Sequence, residues 1–234
     1  MHIMSTQSFL HPLWRCLSLP SSITDVGPIG ARNRRCPVRK LVLKMSMSLD
    51  GYVAGARTES DWMFRAASPD SAAWVLDTVS SAGVHAFGRR TFESIAGYWA
   101  TATTPVAAAM NAIPKVVFTR QRSYDPATVD LGGADSPAAA TWTGARVASD
   151  DLRTEVDLLR AEDGADVLAQ GGTDFCRSLV RSGLVDEYRL VVLPVALGAG
   201  SGIFDGLPEE LDLTLVRSTV FAGGARADVY RPMN

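Results

Sequence analysis

Short apolar runs alternate with helix-like segments over most of this chain, and that alternation restricts the fold more than any other feature. The runs at 40–47, 84–87, 115–119, 165–169 and 186–193 are rich in Val, Leu and other side chains that favour buried strands. A strand that follows a helix pairs in parallel with an earlier strand, because the crossover returns the chain to the same edge of the sheet. The pattern predicts an α/β fold built on a mostly parallel sheet.

Helix start and stop signals lie between these runs. Ser68, followed by a proline, predicts a helix start, and Gly83 predicts the end of that helix. A short helix is expected over 90–95. The last two apolar segments, 211–219 and 225–230, have no helix between them, so we expect a closing antiparallel pair at one edge of the sheet.

Two segments lack this periodicity. Residues 121–144 are rich in Pro, Gly, Ala, Ser and Thr and are predicted to form an exposed loop. Residues 1–38 are interpreted as a disordered N-terminal extension, and one domain is expected over 39–232. A transit peptide has a similar Arg-rich, acid-poor composition, but Pro12 interrupts the apolar stretch and no small-residue cleavage signal follows. We hypothesise that the functional chain begins near Val38.

Composition excludes several classes of protein. The chain has 234 residues, of which 47% are hydrophobic, and this argues against intrinsic disorder. A formal net charge of −2 gives no sign of a nucleic-acid partner, and no apolar run approaches the roughly 18 residues needed to cross a membrane. The three cysteines cannot form a disulfide framework, which favours a reducing, cytoplasmic location. His2, His11 and His85 lack ligand-like spacing, so we expect no metal.

Three predicted strand ends carry residues suited to anions. Residues 88–91 and 171–173 each begin with glycine, follow a strand and open a helix, while Thr119 and Arg120 end a further strand. Ligands of open α/β sheets bind at the carboxyl ends of strands, where helix N-termini present unpaired amides. Two such turns with neighbouring arginines fit a dinucleotide that carries a 2′-phosphate. Simple tight turns explain the glycines equally well, and the GxGxxG of a conventional Rossmann site is absent.

Several motifs resemble a known group of enzymes. Residues 87–95 resemble the Gly-Arg-x-Thr-aromatic-Glu-Ser-Ile segment of dihydrofolate reductases. Residues 43–51, 184–188 and 194–200 are more similar to a sister group, the C-terminal reductase domain of the riboflavin-biosynthesis deaminase–reductase and stand-alone bacterial proteins built like it. The motifs keep their order over about residues 39–232. The resemblance implies a dihydrofolate-reductase-like three-layer α/β/α fold and NADPH as the cofactor.

The resemblance also implies which residues contact NADPH. The two glycine turns would hold phosphate groups, the arginines would hold the 2′-phosphate, and the segment after the first strand would pass the nicotinamide. The residues assigned to the cofactor are Val53, Ala54, Gly88, Arg89, Arg90, Thr91, Thr119, Arg120, Gln170, Gly171, Gly172, Thr173 and Phe175.

The substrate side departs from the family at Gln170 and after Thr91, where residues 93–95 do not match the acidic residue that the family carries. Riboflavin-pathway reductases carry a lysine in the first strand, which Lys44 matches, and a glutamate before the paired glycines, where this chain has the uncharged Gln170. Reduction of a carbonyl or imine needs a proton, and the candidate catalytic donors are Lys44, Asp50 and Asp61. Both aspartates have a structural alternative as turn residues. A lysine within an apolar strand is harder to explain by structure alone.

We predict an NADPH-dependent oxidoreductase that acts on a heterocyclic or ribosylaminopyrimidine-type substrate, like a 5-amino-6-(5-phosphoribosylamino)uracil reductase of riboflavin biosynthesis. The zinc signature of the deaminase half is absent from the sequence. One alternative is reduction of dihydrofolate or a related pterin, which needs a carboxylate such as Asp61 under the ring. Another is a low-turnover NADPH sensor, which the uncharged Gln170 would suit. The resemblance and the apolar strand at 188–193 further imply a homodimer.

Overall fold

A central sheet of eight strands is the framework of the structure. The computed structural model describes residues 38–56, 61–134, 137 and 140–233. The predicted N-terminal extension, apart from Val38, lies outside the described residues. The hypothesis about where the functional chain begins therefore stays a prediction.

The sheet is parallel except at its C-terminal edge. Its order is β5-β4-β3-β6-β1-β7-β10-β9, and β10 is antiparallel to both of its neighbours, whereas the other pairs are parallel. A separate antiparallel pair joins β2 to β8. The predicted mostly parallel sheet with an antiparallel edge is confirmed. The strands are β1 (Leu41–Ser48), β2 (Ala54–Gly55), β3 (Val84–Gly88), β4 (Lys115–Phe118), β5 (Arg146–Ala148), β6 (Val167–Ala169), β7 (Glu187–Leu193), β8 (Gly200–Ser201), β9 (Leu213–Val220) and β10 (Arg226–Pro232).

Helices cover both faces of this sheet. Val42 of β1 packs in one hydrophobic cluster with Phe92 and Met110, while Leu43 packs in another with Val156 and Leu179. Successive strand residues point to opposite faces, so these clusters are the two cores of a three-layer α/β/α fold, as predicted. The helices are α1 (Pro69–Ser80), α2 (Arg89–Thr101), α3 (Pro105–Ala112), α4 (Ala140–Thr143), α5 (Leu152–Ala161) and α6 (Thr173–Arg181), with 3-10 turns at Asp61–Phe64 and Pro126–Thr128.

Helix α1 starts where the sequence predicts. Ser68 is its extended N-cap residue, and the Ser68 amide donates to the Ser71 hydroxyl at 2.9 Å. Proline at the first helical position fits because its missing N–H has no acceptor there in any case. The helix ends at Ser80, and the chain turns through Gly83 into β3.

Helices α2 and α3 differ from the sequence expectation. The short helix expected over 90–95 is α2, which runs for 13 residues because Phe92, Ala96 and Ala100 recur at helical spacing and are all buried. Helix α3 has no predicted counterpart. Its start is fixed by Thr104, whose hydroxyl accepts a hydrogen bond from the Ala107 amide at 3.2 Å.

The predicted exposed loop at 121–144 is wrong in its last part. Helix α4 lies there, and Trp142 is completely buried. The indole lies 5.3 Å from the Phe92 ring and 6.2 Å from the Phe87 ring, and its Nε1 donates to the Asn111 side chain at 2.7 Å. The burial of a single large side chain overrides the polar, small-residue composition around it.

A buried lysine ties α3 to α4. The Lys115 ammonium donates to the carbonyl oxygens of Met110 and Ile113 and to the Thr141 hydroxyl, and it lies 4.6 Å from the Trp142 ring centroid. Burial lowers the pKa of Lys115 to about 7, although these contacts favour the charged form. Three acceptors for three N–H donors explain how this side chain is accommodated in a core.

His85 is the second buried titratable group of this region. It lies beside Lys115 in the β3–β4 pairing, is completely buried, and has Nε2 at 3.0 Å from the Val79 carbonyl oxygen. Its Nδ1 has no hydrogen-bond partner among the described residues. Burial, together with a smaller contribution from the nearby Lys115 charge, lowers the pKa of His85 from 6.5 to about 4.

This environment predicts a pH-dependent stability. Because the folded-state pKa lies below the unfolded one, the contribution of His85 is complete above pH 6.5 and is lost as the pH falls toward 4, by about 3 kcal/mol. Urea unfolding between pH 7 and 4 measures this loss. The variant His85→Gln keeps a donor for Val79 but cannot titrate, so its stability should depend less on pH. Parallel curves for the variant and the wild type would contradict the assignment.

Candidate functional site

The two glycine turns lie side by side at the carboxyl edge of the sheet. They follow β3 and β6, which are neighbouring parallel strands. The Gly88 amide donates to the Gly171 carbonyl oxygen at 2.9 Å, and the Thr91 side chain packs against Gly171 and Gly172. The turns are therefore in direct contact.

Glycine is required at this contact. A Cβ atom on Gly88 would lie 2.9 Å from the Cβ of Phe175, and one on Gly172 would overlap the Thr91 hydroxyl. Gly171 has a φ of +138°, a conformation that other residues rarely adopt, and the Gly171–Gly172 peptide is cis. Close packing thus accounts for all three glycines.

Two helix N-termini open at the same edge. Gly88 is the N-cap residue of α2 and Gly172 is that of α6, and neither helix has a side-chain cap. The first amides of an α-helix have no carbonyl partner within the helix, so both ends retain hydrogen-bond donors and the positive end of a helix dipole. This arrangement is suited to binding phosphate groups.

The predicted 2′-phosphate residues differ in their surroundings. Arg89 is paired with Glu93 at 3.1 Å and lies 5.8 Å from the Tyr124 ring centroid. Arg90 and Arg120 are exposed, and Arg120 follows β4, the strand beside β3. Thr119 follows β4, and its amide donates a hydrogen bond to the Ala148 carbonyl oxygen of β5 at 3.0 Å. Of these three arginines, Arg90 and Arg120 are therefore the ones available to a ligand.

The remaining residues assigned to the cofactor flank these turns. Phe175 stacks on Phe118 with ring centroids 4.6 Å apart, which fixes α6 against β4. Val53 is buried, and its amide donates to the Ser201 carbonyl oxygen at 2.9 Å. Ala54 is exposed in β2.

Lys44 lies in the middle of β1, in register with Arg189 of β7, and one residue beyond the Leu43–Ala169 pair that joins β1 to β6. It is half-buried and forms no hydrogen bond or ion pair within the part of the chain that the structure describes. Burial lowers the pKa of Lys44 to about 8. The Gln170 amide nitrogen lies 3.5 Å from the Met110 sulfur.

Asp50 and Asp61, the other candidate proton donors, have different environments. The Asp50 carboxylate accepts hydrogen bonds from the Leu197 amide at 3.0 Å and the Gly198 amide at 2.7 Å. Hydrogen bonds from Ser48 and from these amides lower the pKa of Asp50 to about 2. Such a carboxyl group is a poor proton donor at neutral pH, so the structure favours a structural part for Asp50. Asp61 is exposed at the start of a 3-10 turn.

Sequence reasoning missed one side chain at this edge. Met110, which borders Gln170, belongs to α3, a helix that the sequence analysis did not identify. The cap at Thr104 and the following alanines are the signal from which α3 could have been found.

Two cavities lie away from this edge. One of about 490 Å³ is lined by residues such as Lys40, Asp77 and Glu187, and another of about 390 Å³ borders Lys115 and Arg146. Both adjoin the amino ends of parallel strands and include none of the residues assigned to the cofactor. The described residues contain no group of three or more His, Cys, Asp or Glu side chains placed to hold a metal, and none of their helices could span a membrane.

Comparisons with known proteins agree on one family. The model of the RibD C-terminal domain matches residues 39–226. A protein of Bacillus subtilis, YyaP, described as uncharacterized, is 25% identical over 198 residues, which are 82% of this chain and 94% of that protein.

Solved structures are similar over the same region. A putative riboflavin biosynthesis protein from Shewanella sp. PV-4 has a TM-score of 0.63 at 19% identity and covers 83% of this chain and 99% of its own. The Thermotoga maritima diaminohydroxyphosphoribosylaminopyrimidine deaminase/5-amino-6-(5-phosphoribosylamino)uracil reductase has a TM-score of 0.56 at 16% identity, and the match covers 83% of this chain and 57% of that one. These likenesses confirm the predicted dihydrofolate-reductase-like fold.

The contact between the turns predicts the effect of a single methyl group. Gly172→Ala should destabilise the protein by about 1–3 kcal/mol, because its Cβ would overlap the Thr91 hydroxyl. Thr91→Ala removes that hydroxyl, so the double variant should recover much of the loss. Denaturant unfolding of the wild type, the two single variants and the double variant gives the coupling energy between residues 91 and 172. Additive effects would show that the overlap is not the cause.

Proposed function

Because the chain belongs to the RibD C-terminal domain family, we propose that it is an NADPH-dependent reductase acting on a heterocyclic or ribosylaminopyrimidine-type small molecule. The family and its riboflavin-biosynthesis neighbours support a reductase of this type. When bound, NADPH supplies the hydride, and the protein supplies binding, orientation and a proton.

The observation that carries this proposal is the contact between the two glycine turns. Uncapped N-termini of α2 and α6 at one edge offer two adjacent groups of amide donors, enough for both phosphates of a dinucleotide. Arg90 and Arg120 are exposed near the same edge and suit a third phosphate, that of NADPH but not of NADH. Phe175, stacked on Phe118, fixes the first turn of α6 from which these amides project.

Lys44 is the proposed proton donor. It is half-buried and free of ion pairs among the described residues, with a pKa near 8, so it is largely protonated at neutral pH and able to release a proton. Asp50 is engaged by backbone amides and Asp61 is exposed, which makes both less suitable.

Reduction of a pterin has less support. That reaction, as the resemblance implies, needs a buried carboxylate near the start of the first helix, and the buried residues of α1 are Thr78 and Val79. Asp70 lies in the first turn of α1 but is exposed and accepts a hydrogen bond from the Ala222 amide at 2.9 Å.

We also propose a homodimer, formed through β9. The sequence analysis suggested β7 as the contact, but that strand lies between β1 and β10 inside the sheet. Strand β9 is the edge strand and exposes Leu215, Val216 and Val220. Long edge strands with exposed apolar side chains tend to pair with another chain. A monomer mass by light scattering would contradict this proposal. A cytoplasmic location stays a prediction.

The exposed arginines predict a preference between cofactors. Arg90→Ala and Arg120→Ala should each weaken NADPH binding by about tenfold to a hundredfold and leave NADH binding nearly unchanged, because only NADPH carries the extra phosphate. Calorimetric titration of both cofactors measures the effect. Arg122 is the matched control, since it is exposed nearby but paired with Asp150 at 3.2 Å. Equal affinity of the wild type for both cofactors would contradict the proposal.

The role of Lys44 predicts a pH profile. The rate of NADPH oxidation with an accepted substrate should fall as the pH rises through about 8, because the protonated lysine is lost. Lys44→Met should remove this limb and most of the activity while NADPH still binds. Stopped-flow absorbance at several pH values tests both points. A wild-type rate that is constant from pH 6 to 10 would exclude Lys44 as the donor.

A further inference from the structure

Two loops pair at the end of the sheet to form a small flap, defined here as residues 49–56 and 194–201. The Leu49 amide donates to Val195 at 2.8 Å, and the Ala56 amide donates to Ala199 at 3.3 Å. Between these ends, β2 pairs with β8. The flap follows β1 and β7, which are neighbours in the sheet.

One carboxylate connects the two loops of this flap. Asp50 belongs to the first loop, and its carboxylate accepts hydrogen bonds from Leu197 and Gly198 of the second, at 3.0 and 2.7 Å. The Ser48 hydroxyl also donates to Asp50 and accepts from the Tyr52 amide at 2.9 Å. The contact therefore fixes the second loop and, through Ser48, the chain that leads from Asp50 into β2.

The second loop of the flap, residues 194–201, has a backbone conformation suited to binding an anion. Gly198 has a φ of +74°, which lets two consecutive amides, those of Leu197 and Gly198, point at one carboxylate. Successive amides in such a turn form an anion-binding concavity. The pKa of Asp50, lowered to about 2, agrees with three donors to one charged group. An asparagine in place of Asp50 would keep one acceptor oxygen and lose the negative charge.

We propose that Asp50 is a positioning residue that holds the flap, and with it Val53 and Ala54, as the wall against which the nicotinamide end of the cofactor lies. The inference rests on the proposed function, because the assignment of Val53 and Ala54 comes from the family. The Asp50 carboxylate acts through the flap and takes no part in proton transfer.

The strand order separates this role from phosphate binding. The flap lies at the ends of β1 and β7, whereas the glycine turns lie at the ends of β3 and β6. Asp50 contacts neither turn in the hydrogen bonds of the described residues. Its loss should therefore disturb the nicotinamide end of the site and leave the phosphate end intact.

The test compares Asp50→Ala and Asp50→Asn with Asp70→Ala. Asp70 is a matched control, an exposed carboxylate that also accepts a backbone amide hydrogen bond, from Ala222, far along the chain. NADPH and adenosine 2′,5′-bisphosphate are each titrated, because the second probe lacks the nicotinamide. Amide hydrogen exchange of residues 53–56 and 195–201 is measured without any ligand.

Asp50→Ala should weaken NADPH binding at least fivefold, change bisphosphate binding less than twofold, and speed exchange in both flap segments. Asp50→Asn should recover part of each effect, and Asp70→Ala should show none. Unchanged exchange and NADPH affinity, or equal loss of both ligands, would overturn the inference. If the wild type binds neither ligand, the proposed function fails. Faster amide exchange in Asp50→Ala would then still show that Asp50 stabilises the flap.

Discussion

The contact between the turns after β3 and β6 is the constraint on which the rest of the site depends. The Gly88 amide and the Gly171 carbonyl join the turns at 2.9 Å, and no side chain larger than hydrogen fits at Gly88 or Gly172 without displacing Phe175 or Thr91. This contact places the uncapped N-termini of α2 and α6 next to each other. The cost of three glycines is conformational entropy, and close packing offsets it.

The site divides into two parts along the strand order. The proposed phosphate-binding part lies at the ends of β4, β3 and β6, where backbone amides and two exposed arginines are available as donors. The proposed reaction part includes Lys44 in the middle of β1 and the flap that follows β1 and β7. Since β6 and β1 are neighbours, an extended dinucleotide is long enough to reach from one part to the other.

The two lysines whose pKa values are lowered have no carboxylate partner among the described residues. Lys44 pairs in register with Arg189 and Lys115 is held by carbonyl and hydroxyl oxygens, so burial lowers both pKa values without a compensating carboxylate. The carboxylate of Asp50, in contrast, is held by amides.

The sequence by itself determined the alternation of strands and helices, the antiparallel edge and the glycine turns, because each depends on local periodicity or on backbone freedom. It did not reveal α3, the burial of Trp142 or the partner of Asp50. These depend on contacts between residues far apart in the chain: Asp50 and Gly198, for example, meet only because β1 and β7 are adjacent in the sheet. Tertiary structure therefore decided that Asp50 is held by backbone amides, whereas Lys44 has no hydrogen-bond partner among the described residues.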